Sequence, residues 1–166
     1  MEAKFPEDQK LAKSSELVVT VRNAGEKTIP NIAMTVNGFD QRKTDPDLAD
    51  ANRPVFALNG VQVEIAGFPE AKDAAPRGCD TAYVNTWACG SLKAGEQKTF
   101  RWSVTAVQAG DFRVRWRVAA GLDGKAKAVA AGGGPAPRGS FSGTISDEAP
   151  DVRGADDGKT IVEGTR

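Results

Sequence analysis

The sequence predicts an all-β domain built from two antiparallel sheets packed as a sandwich. Three observations carry that prediction. Between residues 97 and 118, apolar and polar side chains alternate with period two through two successive runs. Turn-forming residues separate short apolar-patterned runs along most of the chain, and no long stretch repeats with the 3.6-residue period of an amphipathic helix. Successive side chains of a strand point to opposite faces, so period two marks a sheet with one buried and one wet face. Many short strands separated by turn signals point to a two-sheet sandwich.

The clearest text lies between Leu92 and Ala131. Lys93-Ala94-Gly95-Glu96 is a turn. Phe100, Trp102, Val104 and Ala106 then face one way, and Thr99, Arg101, Ser103 and Thr105 the other. Gln108-Ala109-Gly110-Asp111 is a second turn, after which Phe112, Val114, Trp116 and Val118 alternate with Arg113, Arg115 and Arg117. Trp102 and Trp116 sit within apolar faces and are assigned to the core. Asp123-Gly124 predicts a turn into a further strand over 125–131. A three-residue loop, Leu122-Asp123-Gly124, places Gly124 at the left-handed bulge position that such loops favour. In that register Lys125 and Lys127 join the arginine face; a two- or four-residue turn would bury them, which is costly for charges.

Upstream, residues 1–15 read as an entering edge segment with Phe5-Pro6 as its apolar anchor. Leu17, Val19 and Val21 share one face of a strand over 16–22, and Asn23-Ala24-Gly25-Glu26 is a turn. A strand over 29–37 places Ile32, Met34 and Val36 on one face and Asn31, Ala33 and Thr35 on the other. Pro30, lacking a donor, sits at its start. The immunoglobulin-like strand order would put this strand beside the arginine strand. Residues 38–90 form a long irregular insertion. Within it, Asp45-Pro46-Asp47-Leu48 predicts a helical turn capped by Asp45. Arg53–Leu58 and Val61–Ala66 predict a hairpin about Asn59-Gly60, and Phe68-Pro69-Glu70-Ala71 another turn. Gly132-Gly133-Gly134-Pro135-Ala136-Pro137 is a flexible break. The sandwich therefore occupies 1–131. Residues 132–166 form a tail of the same domain with short edge strands, too small to bury a core of their own.

A chain of 166 residues is most simply one domain and buries roughly 70% of its unfolded surface. Twenty-two basic and 22 acidic residues leave zero net charge. No global field draws the chain to nucleic acid or to an anionic membrane; only a local patch can. No window approaches the roughly 18 apolar residues of a membrane span. Residues 1–15 lack the apolar core of a signal peptide, so any leader or anchor is expected outside these residues. Cys79 and Cys89, an even and closely spaced pair, suit a disulfide and an exported protein. The alternative is two reduced thiols in a cytosolic domain.

The segments "LVVTVRNAG" at 17–25 and "SLKAGEQKTFRWSVTAVQAGDFRVRWRV" at 91–118 resemble bacterial surface immunoglobulin-like modules, related to the CARDB-like and fibronectin-like repeats. In that pattern one strand ends in Asn-x-Gly, a Leu-x-x-Gly-Glu turn feeds a second, and an Ala-Gly-aromatic turn feeds a third. The resemblance covers about 60 to 75 residues and encodes turns and core positions. It implies a two-sheet antiparallel immunoglobulin-like sandwich and an extracytoplasmic, non-enzymatic module, often beside a membrane anchor. It implies no ligand.

The chain contains no histidine, which removes Ser-His-Asp and Cys-His nucleophilic systems and nearly all zinc sites. Gly154-Ala155-Asp156-Asp157-Gly158-Lys159-Thr160 approaches a phosphate-binding loop but has three residues between its glycines where four are required. It reads as an Asp-Gly turn. Asp45, Asp47 and Asp50 offer oxygens to calcium, against the simpler reading of a capped, solvated turn. Asp147-Glu148 and Asp156-Asp157 read as solvated. Nothing pairs two acids across a cleft as glycoside hydrolysis needs. Tyr83, Asn85 and Trp87 share one face if 79–89 is extended and would then form a rim for stacking on a sugar; the simpler reading packs Trp87 into the core beside the disulfide. Arg113, Arg115 and Arg117, with Lys125 and Lys127, form a basic strip for an anionic partner or merely a solvated strand face. The acidic segment 147–157 is one candidate counter-charge. The functional expectation is a non-enzymatic extracytoplasmic structural or protein-binding module of a bacterial surface or membrane-anchored protein. The alternative is a glycan or cell-wall polymer binder. Neither involves a cofactor, a metal or nucleic acid. The expected partner is a protein or an anionic surface polymer.

Overall fold

The computed structural model describes residues 1–44, 52–62, 72–73, 75–122, 128–130, 133–148, 151–156 and 158–163. Its strands are β1 (Glu2–Lys4), β2 (Asp8–Lys10), β3 (Ser14–Arg22), β4 (Ala33–Asn37), β5 (Phe56–Leu58), β6 (Val61–Gln62), β7 (Lys72–Asp73), β8 (Asp80–Tyr83), β9 (Thr86–Ala88), β10 (Gln97–Ala106), β11 (Gly110–Ala119), β12 (Arg138–Ser146), β13 (Val152–Gly154) and β14 (Ile161–Glu163). A four-stranded sheet runs β1-β3-β10-β5 and a six-stranded sheet runs β2-β12-β11-β4-β9-β8. The short pairs β6-β7 and β13-β14 stand outside both. The described residues contain no helix.

The alternation in the sequence decides which side chains meet between the sheets. From the four-stranded sheet, Leu17, Val19, Phe100, Trp102 and Val104 are buried; from the six-stranded sheet, Met34, Val36, Phe112, Val114 and Val118. The ladder between β3 and β10 runs without interruption from Gln97↔Arg22 to Thr105↔Ser14. β10 and β11, neighbours in sequence, are not a hairpin. Residues 107–109 arch from one sheet to the other, held by Val107 N–H donating to Val55 O (3.0 Å) and Gln108 Nε2 to Lys43 O (2.9 Å). The two halves of the opening alternation therefore face each other across the core.

The N-terminal segment also crosses between sheets. β1 pairs with β3, β2 pairs in parallel with β12, and Phe5 lies at the crossing, 6% exposed. Its ring meets Phe39, Phe56, Phe112 and Phe141 edge-on, with centroids 5.6–6.2 Å apart. These are the edge-to-face geometries that aromatic quadrupoles favour. The same segment passes so close to Gly143 that a Cβ there would lie 1.9 Å from Glu7 O.

Several expectations are corrected. Residues 138–146 are not a short edge strand: β12 is a nine-residue interior strand between β2 and β11. It holds the side of β11 that the predicted strand over 125–131 would need, with pairs from Gly110↔Ile145 to Arg117↔Arg138. Lys125 and Lys127, and the Leu122-Asp123-Gly124 loop beyond Leu122, lie outside the described residues. Asn59-Gly60 does not join a hairpin either. β5 pairs with β10 and β6 with β7, while Asn59 bonds Ser103 and Thr105 side chains instead. The Asn23 turn is built on a side chain: buried Asn23 accepts from Gly25 N–H and donates to Lys27 O and Leu92 O. The strand expected over 29–37 shortens to Ala33–Asn37, and it does flank the arginine strand. The turn at 68–71 lies outside the described residues.

Cys79 and Cys89 are disulfide-bonded and buried at the open end of the β8–β9 hairpin. Closing so short a loop restricts the unfolded chain by about 2.5–3 kcal/mol on the chain-entropy model. Thiol titration of the unfolded, unreduced protein should therefore find no free thiol, and reduction should lower the denaturation midpoint. Replacing Phe5 by Ala removes the ring that four others pack against. It should cost about 3–5 kcal/mol in denaturant unfolding with the slope unchanged.

Candidate functional site

The exposed face of the six-stranded sheet follows from the burial of the other. Because Phe112, Val114, Trp116 and Val118 point inward, Arg113, Arg115 and Arg117 must point outward, and all three are exposed. Their cross-strand neighbours are short and polar, except for Arg138. Arg113 faces Ser142; Arg115 lies between Ser140 and Asn37; Arg117 lies between Arg138 and Thr35. Thr35 and Thr86 share a hydroxyl hydrogen bond of 3.0 Å, and Thr86 pairs in turn with Tyr83. One row across the sheet thus reads Tyr83, Thr86, Thr35, Arg117, Arg138.

Among the described residues, no carboxylate lies within ion-pair distance of Arg113, Arg115, Arg117 or Arg138. Among the described residues, ion pairs form elsewhere, at Lys4–Glu2, Arg101–Glu16 and Lys10–Glu148. In the last, Glu148 of the acidic segment 147–157 lies 3.6 Å from Lys10 of β2; residues 149, 150 and 157 of that segment lie outside the described residues. Arg138 takes the place beside Arg117 that the sequence reading gave to the lysines. It carries no motif of its own, and only the long-range pairing of β12 reveals it.

At one end of the strip the loop after β4 borders a recess. Gly38 leaves β4 with φ 112° and presses against β11, where a Cβ would lie 2.2 Å from Arg113 O. Only glycine fits this left-handed close approach. Phe39 turns into the core, 1% exposed, and its carbonyl accepts from Phe56 N–H (3.1 Å); Gln41 O accepts from Val55 N–H (2.8 Å). Asp40 and Gln41 are left facing outward. Together with Asn37, Gly38, Arg113 and Arg115 they line an open pocket of about 430 Å³. Asn85 donates from Nδ2 to Asp40 Oδ2 at 3.0 Å and fixes the carboxylate at the rim.

The stacking rim of Tyr83, Asn85 and Trp87 does not exist. The chain reverses at Val84-Asn85, with Asn85 in the left-handed region at φ 58°. Trp87 is 3% exposed, its ring 5.4 Å from that of Trp102, while Tyr83 is 63% exposed on the outer face. The core reading of Trp87 beside the disulfide is the observed one, as are those of Trp102 and Trp116. Asp45, Asp47 and Asp50 lie outside the described residues. Elsewhere no three acidic or cysteine side chains gather as a metal-ligand set among the described residues.

No protein-family profile matches the chain, and no curated protein matches it in sequence. Solved structures do match. The crystal structure of the CARDB domain of PF1109 from Pyrococcus furiosus, in complex with di-metal ions, is 15% identical over 88% of this chain and 90% of that one, with a TM-score of 0.50. The solution structure of the same domain gives 16% identity, 88% and 92% coverage and a TM-score of 0.49. An Escherichia coli alpha-2-macroglobulin gives 12% identity over 88% of this chain and 6% of that one, with a TM-score of 0.49. The chain has the fold of a CARDB-like, immunoglobulin-like β-sandwich.

Proposed function

We propose that this chain is a non-catalytic binding module that works outside the cytoplasm on a bacterial surface or membrane-anchored protein, and that its arginine face docks an anionic partner. The observation that carries this reading is the strip of Arg113, Arg115, Arg117 and Arg138. Among the described residues, no acidic group pairs with it. Like charges directly opposite, as at Arg117↔Arg138, are destabilising. A chain of zero net charge has no general need to concentrate them there. Guanidinium groups present planar donor forks that match carboxylate, sulfate and phosphate oxygens. A partner of opposite charge relieves the repulsion and supplies the missing acceptors.

Export is supported by the disulfide, which reducing compartments do not maintain. The non-catalytic part of the reading is supported by the absence of histidine from the sequence. The glycan reading that depended on an exposed Trp87 is withdrawn, because that ring is in the core.

The test is binding of the domain to immobilised polyglutamate and dextran sulfate at rising salt. Affinity should fall steeply between low and high ionic strength, as exposed charges are screened beyond about 10 Å at 0.1 M. The double variant Arg115→Gln, Arg117→Gln should bind at least tenfold more weakly while unfolding at the wild-type temperature. Binding untouched by that variant, or no binding to either polyanion at low salt, would overturn the proposal.

A further inference from the structure

The structure assigns the pocket at residues 37–41 as a subsite for one acidic sugar of a carboxylated polysaccharide. The inference rests on the anionic-partner reading of the arginine face and names the chemistry of its ligand. Its basis is the mixture of groups that the pocket brings together. Arg113 and Arg115 project from alternate positions of β11, about 7 Å apart along the strand. Either fork can take a carboxylate through two parallel hydrogen bonds. Asn37 and Gln41 bring neutral amides that both donate and accept, and Asp40 brings a pure acceptor.

Asp40 decides among ligand classes. A carboxylate lining the same pocket as two guanidiniums, though paired with neither, weakens it for phosphate or sulfate, which concentrate more charge and have few donors to offer. A peptide made only of acidic residues has nothing to give Asp40 except backbone N–H groups. A uronic-acid ring carries one carboxylate for the arginines and a set of hydroxyls whose protons Asp40, Asn37 and Gln41 can accept. The net charge of the lining, two arginines against one aspartate, suits a monoanion.

The pocket is also built in advance. Asn85 holds Asp40 at 3.0 Å, Phe39 anchors the loop from beneath, and backbone bonds from Val55 and Phe56 fasten its two ends. Its volume is about 430 Å³, open to solvent on one side. Arg117 and Arg138 continue from it along the same face, where a polymer's next carboxylates would lie.

The experiment is calorimetric titration of the folded chain with three probes: tri-galacturonate, its methyl ester, and tri-glutamate. Two variants, Asp40→Asn and Arg115→Gln, are compared with wild type after equal thermal unfolding is established. Tri-galacturonate should bind, its methyl ester should not, and tri-glutamate should bind more weakly. Arg115→Gln should weaken both anions about tenfold or more. Asp40→Asn should weaken tri-galacturonate about tenfold yet leave tri-glutamate unchanged or tightened, because removing a negative charge favours any anion held by field alone. If Asp40→Asn tightens both, or tri-glutamate binds as well as tri-galacturonate, the sugar subsite is overturned while the anionic face stands. If neither anion binds at low salt, both are overturned.

Discussion

The strand from Gly110 to Ala119 carries the constraint on which the rest depends. Each of its apolar residues must be buried, and the period of a strand then leaves each arginine no other direction. The energies are unequal. Burying Phe112, Val114, Trp116 and Val118 is worth about 1.5–3 kcal/mol for each large side chain. Repulsion between solvated arginines on the other face costs a fraction of that. A slip of one residue would exchange the two faces and bury three guanidinium groups, which no other contact offsets. The basic face is therefore fixed in register by the core it does not touch.

The strand is also held on both sides. β12 pairs with it over eight residues and β4 over five, so the arginines stand on an interior strand and not on a fraying edge. The chain spends unusual means to keep that sheet against its partner sheet. Phe5 ties four rings from both layers together, and the disulfide closes the hairpin that ends the six-stranded sheet. Gly38 lets the loop after β4 lie directly on β11. The consequence is a recess lined by Asn37, Gly38, Asp40, Gln41, Arg113 and Arg115, with Asp40 held by Asn85.

What the sequence made legible was local. The two alternating runs, the Leu17–Val21 strand, the turn ending at Glu96 and the buried tryptophans all follow from periodicity and turn chemistry, and all are present. What it concealed was long-range. Gln108-Ala109-Gly110 has the residues of a turn, and the same residues serve an arch between sheets; only the position of the next strand distinguishes them. Residues 138–146 are rich in glycine and serine and read as a tail. Gly143 is there because Glu7 crosses it, a reason that lies more than a hundred residues away. The hairpin reversal at Val84-Asn85 carries neither glycine nor proline, so nothing local marks it, and period-two spacing alone puts Tyr83, Asn85 and Trp87 on one face. Of the candidate site, Arg113, Arg115 and Arg117 were visible as a pattern. Arg138, Asp40 and Gln41 join them only through pairing that the sequence does not spell out.

The basic face accordingly depends on which strand lies beside β11. Cross-strand nuclear Overhauser contacts in the labelled protein measure it directly. Contacts from Val114 to Phe141 and from Arg115 to Ser140 are expected. Contacts from Arg115 to residues 125–131, with 138–146 free of any partner strand, would contradict this pairing.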